Sequence, residues 1–446
     1  MTQRIRPLLS GLGTGSLPPL TRSLYARELP VWALLPLMTG AIEGGVVGVI
    51  VKKVYAGVIE EDLLNLLVAF LVGLQAITNL TSFAWASLAH GRSKTKMLLW
   101  MQIGCAVTMT LPAFASETPG GLVLFMLGIV GSRLCWSGVV TLRSTVWAAN
   151  YPRHARARIA GRFAAVQALV LAGVSAGIGV LMDIDHTAYR WAYPTAAGIG
   201  LLGAAAFSRV RMRGERAMLK EERASDHRDD RRPSLNPIRI IHFLRSDRTF
   251  GTYMVCQFML GIGNMMISAP LIIVLTDVYG MDYVQAIALL TSIPIAMMPF
   301  VIPMWSRLFD RIHVVRFRSI HSWIFVITNI MLIVTVATGW MPGFWIAAAM
   351  RGVAYGGGVL AWNLGHHDFS SVSASPAYMG VHVTLTGFRG LIAPTLGVLL
   401  YEAFQGPDPN GVITFSVSLL LGTLGAVGFV WMANRLPNKG LLDQKR

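Results

Sequence analysis

Long apolar stretches separated by short polar segments run along almost the whole chain. Each stretch is close to the ~20 residues that an α-helix needs to cross the hydrocarbon layer of a bilayer. The pattern predicts an all-α integral membrane protein with twelve transmembrane helices. The predicted spans are 30–51, 63–88, 97–115, 120–147, 160–182, 189–208, 250–275, 284–305, 319–338, 342–364, 378–401 and 412–433.

One long polar insert, residues 209–249, is dense in charges of both signs and divides the chain nearly in half. It predicts a solvated cytoplasmic linker between two six-helix bundles, an N-terminal bundle at 30–208 and a C-terminal bundle at 250–433. Residues 1–29 and 434–446 are then a cytoplasmic N-terminal segment and a cytoplasmic tail.

The composition excludes an ordinary soluble protein. The chain has 446 residues, of which 54% are hydrophobic and 13% charged, whereas about a quarter of the residues of soluble domains are charged. The three cysteines, Cys105, Cys135 and Cys256, lie within apolar spans and indicate neither a disulfide framework nor a metal cluster. The chain has no glycine-rich phosphate loop, so an ion gradient is the expected source of energy.

The positions of the basic residues matter more than the net charge of +16. Segments on one side of the predicted membrane hold 31 of the 38 Lys and Arg, whereas the other side holds only Lys52, Lys53 and Arg190. Because basic loops stay in the cytoplasm, both termini are predicted to be cytoplasmic and the protein to span the inner membrane. The charge is a topology signal, and nucleic acid is not an expected partner.

The two halves share landmarks at offsets of 218 to 220 residues, which indicates an internal duplication. Duplicated six-span bundles are typical of transporters that bind substrate between the bundles at mid-membrane. The matched pairs are Trp85 with Trp305, Arg133 with Arg351, Gly161 with Gly380, and Gly179 with Gly397.

Two loop motifs, together with the duplication and topology, resemble those of the major facilitator superfamily from about residue 30 to 433. The loop after span two, which includes His90 and Arg92, resembles the family's loop motif but has His90 where the motif has an acid. The loop after span eight keeps the acid and base, Asp310 and Arg311. The resemblance implies that these four residues contribute to gating.

Glu43 is the only acid deep within a predicted span, and glycines flank it. Arg133 lies at a similar depth in span four, and the resemblance implies that spans one and four both face the central cavity. A charge at mid-membrane is costly unless it has a partner or a watery cavity. We therefore expect a Glu43–Arg133 pair that couples transport to protons. The alternative is an ion pair with a structural role only.

The predicted spans carry more arginines than acids, which favours an anionic substrate. The position in span seven that corresponds to Glu43 is the uncharged Asn264, so Arg351 has no obvious acidic partner. Backbone carbonyls and water are the alternative partners for each arginine. The candidate substrate-binding residues are Arg351, Asn264, Gln257, Asn363, Arg389 and Gln167.

These features predict a secondary active transporter, not an enzyme, that moves a small organic molecule with proton coupling, with export favoured over uptake. We expect a monomer in the lipid bilayer without a cofactor or metal. Three alternatives remain: a proton-coupled uptake symporter, a non-transporting sensor or assembly factor on the same fold, and a membrane enzyme that acts on lipids. The enzyme is the least favoured, because only His366-His367-Asp368 offers reactive groups at one membrane face.

Overall fold

The computed structural model describes residues 15, 17–224, 237–370 and 375–436. This part of the chain consists of helices and short connections and contains no β-strand. The remainder of the predicted N-terminal segment, linker and tail lies outside the described residues.

The first half contains six spans, of which the first two are interrupted. Span 1 consists of Pro19–Ala41 and Gly44–Val54, and span 2 of Glu61–Ile77 and Ser82–Ala89. The others are single helices: span 3 is Lys94–Met109, span 4 is Pro119–Asn150, span 5 is Arg153–Ile184 and span 6 is Tyr189–Phe207.

The second half repeats this order. Span 7 consists of Arg248–Met266 and Ser268–Ile273, and span 8 of Tyr283–Ile287 and Ile293–Phe309. The single helices are span 9, Val314–Thr338; span 10, Met341–Leu364; span 11, Ser375–Phe404; and span 12, Val412–Arg435. Between the halves, the described residues form two short helices, Glu215–Ala224 and Pro237–Ser246. We call the end with loops 55–60, 185–188 and 279–282 the outer end, and the opposite end the inner end.

Eleven of the described segments are long and apolar enough to cross a membrane. Span 6, Tyr189–Phe207, is not among them, and two of its glycines lie close to span 1. A Cβ on Gly200 would lie 2.8 Å from the Met38 sulfur, and one on Gly203 would lie 3.0 Å from a Leu35 methyl. The small residues of span 6 thus allow spans 6 and 1 to approach each other closely.

The duplication is visible in the packing of the two halves. Trp85 lies against Gly138 in the first half, and Trp305 lies against Gly357 in the second. Both glycines are in the helix that follows the tryptophan's span by two, and the two pairs are related by offsets of 220 and 219 residues. The sequence landmarks therefore mark equivalent contacts in two homologous six-helix bundles.

The bundles meet along spans 2 and 11 and along spans 5 and 8. Span 2 approaches span 11 so closely that a Cβ on Gly73 would collide with the Gly390 carbonyl. Gly390 in turn lies against Ala76. Small residues at this crossing allow the bundles to contact each other through backbone.

The helix Glu215–Ala224, which we call the linker helix, docks on the loop between spans 2 and 3. One carboxylate oxygen of Glu222 accepts hydrogen bonds from the Gly91 backbone and from Lys94 Nζ, each at 2.8 Å. His90 Nε2 lies 2.9 Å from the Glu222 carbonyl oxygen. The prediction that this part of the linker is merely solvated is therefore wrong.

Glu222 supplies an acid to the loop in which His90 replaces the motif's acid. The Glu222 carboxylate lies at the N-terminal end of span 3, where a negative charge is favourable. Burial tends to raise its pKa, but the hydrogen bonds from Lys94 and Gly91 and the charge of Lys94 outweigh burial and hold the pKa below its ordinary value. The docked helix is thus held by an ionised carboxylate.

We expect Glu222→Gln to destabilise the protein by about 1 kcal/mol at pH 7, because a charge-assisted bond to Lys94 is lost. Since folding lowers the pKa of Glu222, its stabilisation is complete above the ordinary carboxyl pKa and disappears as the pH falls through the lower folded-state pKa. Thermal unfolding in detergent across this pH range measures the effect. The matched control is Glu221→Gln on the exposed face of the same helix. Equal unfolding temperatures for the two variants at pH 7 would contradict the docking role.

Candidate functional site

Span 1 is broken at mid-membrane, next to Glu43. The first helix ends at Ala41, and Glu43 has an extended backbone, with φ −61° and ψ 141°, before the second helix begins at Gly44. The break leaves carbonyl groups without partners inside the helix, and in a bilayer these must be satisfied by other parts of the protein.

Three side chains from the other spans of the first bundle donate hydrogen bonds to carbonyl groups at the break. The donors are Arg133 Nε to Ile42 O at 3.0 Å, Tyr193 OH to Ala41 O at 3.0 Å, and Ser175 Oγ to Gly40 O at 3.2 Å. Arg133 also donates through Nη2 to Ile42 O at 2.5 Å. The break is therefore a built feature of the bundle, held by spans 4, 5 and 6.

Glu43 and Arg133 are in contact. Arg133 Nη2 lies 3.3 Å from Glu43 Oε1, and their side chains are 3% and 14% exposed, respectively. The shorter bonds of Arg133 go to the Ile42 carbonyl, so the carboxylate is not its only partner. Arg133 therefore has both the acidic partner predicted from the sequence and a backbone carbonyl as partners.

A cavity of about 600 Å³ lies between the two bundles. Its lining includes residues from both halves, and it extends from Thr291 to Trp362 near the inner end of span 10. Six residues predicted from the sequence line it: Glu43, Gln167, Gln257, Asn264, Arg351 and Arg389.

The charges on the cavity wall are strongly unequal. Glu43 is the only acid among the described lining residues, and it already contacts Arg133. The basic residues are Arg318, Arg351 and Arg389, all from the second half. The wall therefore carries a positive excess on the side of the second bundle.

Arg351 is the least satisfied of these arginines. It is 8% exposed and lines the cavity. Within the part of the chain that the structure describes, its side chain has no hydrogen-bond or ion-pair partner. A buried guanidinium in this state requires water or a ligand in the cavity.

Arg389 crosses from span 11 to span 7. Its Nη1 donates to the Gln257 carbonyl and its Nη2 to Thr386 Oγ1, each at 2.7 Å. Gly261 makes this crossing possible, because a Cβ there would collide with the guanidinium. As for Arg133, a backbone carbonyl is a principal partner, but Arg389 has no acid beside it in the described lining.

Asn363 and the predicted gating residues lie elsewhere. Asn363 is exposed, bonds to the Val359 carbonyl of its own helix and does not line the cavity. Arg92, Asp310 and Arg311 are exposed at the inner end. The Asp310 carboxylate has no hydrogen-bond or ion-pair partner among the described residues.

The prediction that Glu43 is the only acid deep in a span is wrong. Glu28 lies in the first helix of span 1 and is 1% exposed, because this helix begins eleven residues before the predicted start at residue 30. Its carboxylate accepts hydrogen bonds from Trp32 at 2.9 Å, from Tyr151 at 2.5 Å, and from Trp147. Arg143 lies over both indole rings, so Glu28 has a complete set of local partners outside the cavity.

Arg318 is the cavity residue that the sequence did not indicate. It falls within the predicted inner segment 306–318, but span 9 begins at Val314 and Arg318 is 2% exposed. The apolar run begins only at residue 319, so the sequence pattern does not indicate that the helix starts earlier and includes Arg318. His313, whose side chain caps the backbone of Val315, was the available signal for the true start.

Lys52 joins the bundles at the outer end. Its Nζ lies 2.6 Å from Asp277, just beyond the end of span 7, 3.2 Å from Glu61 and 2.8 Å from the Asn65 side-chain oxygen. The Lys52 side chain is only 4% exposed. Because these partners come from both bundles, Lys52 closes the cavity on this side.

Asp183 makes a second contact between the bundles at the outer end. Its two carboxylate oxygens accept hydrogen bonds from the backbone of Tyr283 and Val284, at 2.7 and 2.8 Å, at the start of span 8. Lys53 donates to the Met281 carbonyl at 2.9 Å. We call Lys52, Lys53, Asp183 and their partners the outer lock, and in this structure it is closed.

The chain is similar to known proteins in sequence pattern and in fold. A family model described as Major Facilitator Superfamily matches residues 31–394. Similar solved structures include a D-xylose-proton symporter, at 15% identity and TM-score 0.67, with 94% of this chain and 98% of that chain covered. No curated protein matches the sequence.

Two further structures support the same fold. A POT family transporter in complex with 5-aminolevulinic acid has 14% identity and TM-score 0.67, with coverage of 91% and 96%. An inward-facing, occupied bacterial homologue of the human lysosomal transporter Spinster has 12% identity and TM-score 0.63, with coverage of 94% and 98%. At such identities the likeness concerns the fold alone.

We expect Lys52→Met to shift the protein towards a state open at the outer end, because Asp277 loses its cationic partner. A loss of about 1 kcal/mol shifts the equilibrium about fivefold. The measurement is the rate at which an impermeant thiol reagent, added outside intact cells, labels Ser268→Cys in the cavity of a protein with its own cysteines replaced. Arg190→Met at the outer end is the matched control. An unchanged labelling rate in Lys52→Met would show that the outer lock does not depend on this charge.

Proposed function

Because the chain belongs to the major facilitator superfamily, we propose that it carries a small organic anion across the membrane and couples this movement to protons. It is a multi-pass membrane transporter of small solutes and not an enzyme. The charge of the substrate, the identity of the coupling ion and the orientation of the protein in the membrane are our proposals.

The observation that carries the anion proposal is Arg351, which is buried in the cavity wall and has no hydrogen-bond or ion-pair partner among the described residues. A guanidinium cannot lose its charge under ordinary conditions, so a carboxylate or phosphate is its natural partner. Arg318 and Arg389 add two more positive charges to the same wall. A neutral solute would leave all three uncompensated.

Glu43 supports the proton-coupling proposal by its position. Its carboxylate touches both the cavity and Arg133. Because the Ile42 carbonyl also holds Arg133, Glu43 can gain a proton without leaving the arginine unpartnered. Protonation would loosen the contact between spans 1 and 4 beside the break, where span 1 is able to bend.

We place the inner end in the cytoplasm, because the inner segments contain most of the basic residues. The protein then spans the inner membrane as a monomer, with one cavity formed by a single chain. The labelling test on Lys52 also reports this orientation, because the external reagent must enter through the outer end. The direction of transport depends on the gradients, and export remains the favoured direction over uptake.

We expect Arg351→Ala to reduce transport of an organic anion at least about tenfold without loss of folded protein, since a charge-assisted bond contributes about 1.5–3 kcal/mol. Flux into proteoliposomes, measured with a panel of organic anions and their neutral esters, checks this. Arg307→Ala, on the exposed inner end of span 8, is the matched control. Equal transport of an acid and its neutral ester by the wild type would overturn the anion proposal.

We expect Glu43→Gln to bind substrate and exchange it across the membrane, but to lose accumulation or extrusion driven by a pH gradient. The glutamine imitates the protonated acid in shape, while Arg133 keeps its bonds to the Ile42 carbonyl. Uphill flux and exchange are measured in the same proteoliposomes.

Glu28→Gln is the control for the Glu43 variant, because Glu28 is a buried acid in the same span but does not line the cavity. It should lower thermal stability and leave proton coupling intact. Wild-type uphill transport by well-folded Glu43→Gln would assign the coupling to another group or another ion. Loss of exchange together with stability would make Glu43 purely structural.

A further inference from the structure

Arg318 reaches the cavity from an unexpected helix. Span 9 packs mainly against spans 10 and 12, away from the first bundle. Its Arg318 is nevertheless 2% exposed and lines the cavity together with Arg389. We propose that Arg318 and Arg389 bind the acidic group of the substrate, and that Gln257 binds a hydroxyl or ammonium group beside it. This inference rests on the proposed function and narrows the substrate to α-hydroxy or α-amino acids.

Arg318 is held in place without being neutralised. Its Nη1 lies 3.3 Å from His321 Nδ1, and His321 Nε2 lies 2.8 Å from the Ala354 carbonyl. A guanidinium only donates, so His321 Nδ1 is the acceptor and the ring proton is on Nε2, where it bonds to Ala354. The imidazole is therefore neutral and fixes Arg318 against span 10. The positive charge of Arg318 remains available.

Arg389 is held in the same way, by neutral groups. Its two terminal nitrogens bond to the Gln257 carbonyl and to Thr386, and its Nε is buried without a partner. The Nε of Arg318 is also buried without a partner. Among the described residues, both guanidinium groups therefore keep one buried donor without a partner.

The two arginines repel each other. Both line the same cavity of about 600 Å³ between the bundles. No acid among the described cavity residues offsets them, because Glu43 contacts Arg133 instead. Two like charges in a poorly hydrated site are costly, and one shared anion removes the cost. A carboxylate, with two oxygens, can accept from both guanidinium groups.

Gln257 determines what lies beside the acidic group. Its backbone carbonyl is bonded to Arg389, and the residue is 6% exposed and lines the cavity. Its side-chain oxygen is buried without a partner among the described residues. A buried acceptor without a donor costs free energy. A hydroxyl or ammonium group on the carbon next to the carboxylate would supply this donor.

Aromatic residues indicate the nature of the rest of the molecule. Phe325, Tyr355 and Trp362 line the same cavity as Arg318. Trp362 is held by a hydrogen bond to Thr386, which also bonds to Arg389, so this ring lies next to the arginine site. An apolar or aromatic side chain on the acid would pack against these rings.

The test uses four probes with one common ring: phenyllactate, phenylalanine, 3-phenylpropionate and the methyl ester of phenyllactate. Binding to the purified full-length protein is measured by calorimetry and by thermal stabilisation in detergent. We expect phenyllactate or phenylalanine to bind at least about tenfold more tightly than 3-phenylpropionate, because only the first two satisfy Gln257. If neither binds, or if 3-phenylpropionate binds equally well, the substrate class is wrong.

Variants locate the site. Arg318→Gln should weaken binding of the preferred acid at least about tenfold, and Arg318→Lys should restore part of the affinity by keeping the charge. The matched control, Arg316→Gln, makes the same change on the same helix outside the cavity lining. Gln257→Leu should remove the preference over 3-phenylpropionate, a change in the ratio of two affinities that loss of folding could not produce.

The outcomes separate this inference from the proposed function. If Arg351→Ala abolishes anion binding while Arg318→Gln binds like the wild type, anion transport stands and the Arg318–Arg389 site is refuted. If the methyl ester binds as tightly as the acid, the anionic substrate itself is refuted and both proposals fall. Loss of affinity in Arg318→Gln and not in Arg316→Gln supports the site.

Discussion

The interruption of span 1 is the constraint on which the first bundle depends. An unpaired carbonyl group inside a bilayer costs several kcal/mol, and the break leaves the Ala41 and Ile42 carbonyls without a backbone partner. Tyr193 and Arg133 satisfy them, and Ser175 adds a bond to the Gly40 carbonyl. Three other helices are thereby tied to the middle of span 1. The same break gives Glu43 its extended backbone at the cavity wall, so one local defect organises both the packing and the chemistry of this half.

The second bundle shares the scaffold but not this constraint. Span 7 is also interrupted, at Ile267, but that residue keeps helical angles of φ −70° and ψ −31°. The arginine that donates to a carbonyl of span 7 is Arg389, to Gln257. Among the residues that the structure describes, Arg351, the counterpart of Arg133, therefore has no hydrogen-bond or ion-pair partner. Both halves thus contain an arginine at this position of the repeat. Only in the first half does this arginine donate hydrogen bonds to a backbone carbonyl. The positive excess of the cavity follows from this asymmetry.

Much of the architecture could be predicted from the sequence, because apolar runs indicate the segments that cross the bilayer and basic loops indicate the side on which each loop lies. The landmarks Arg133 and Arg351 could be found because the repeat keeps them in register. Glu28 and Arg318 could not be found in this way, since each lies in a helix that extends beyond its apolar run and a charge at such an end looks like part of a loop. The bonds of Arg133 to a carbonyl, and of Glu222 to Gly91, join segments far apart in the chain, and no local pattern encodes such contacts.

The docking of the linker helix determines where the chain can be divided. Through Glu222, and through Glu215, which accepts a hydrogen bond from Ser93 at 2.7 Å, this helix is an integral part of the first bundle. A natural boundary between the halves therefore lies after Ala224 and not at the end of span 6. If the two halves are expressed as separate polypeptides, the first bundle is complete only when the chain is cut after this helix. The same holds for the insertion of another protein domain between the halves.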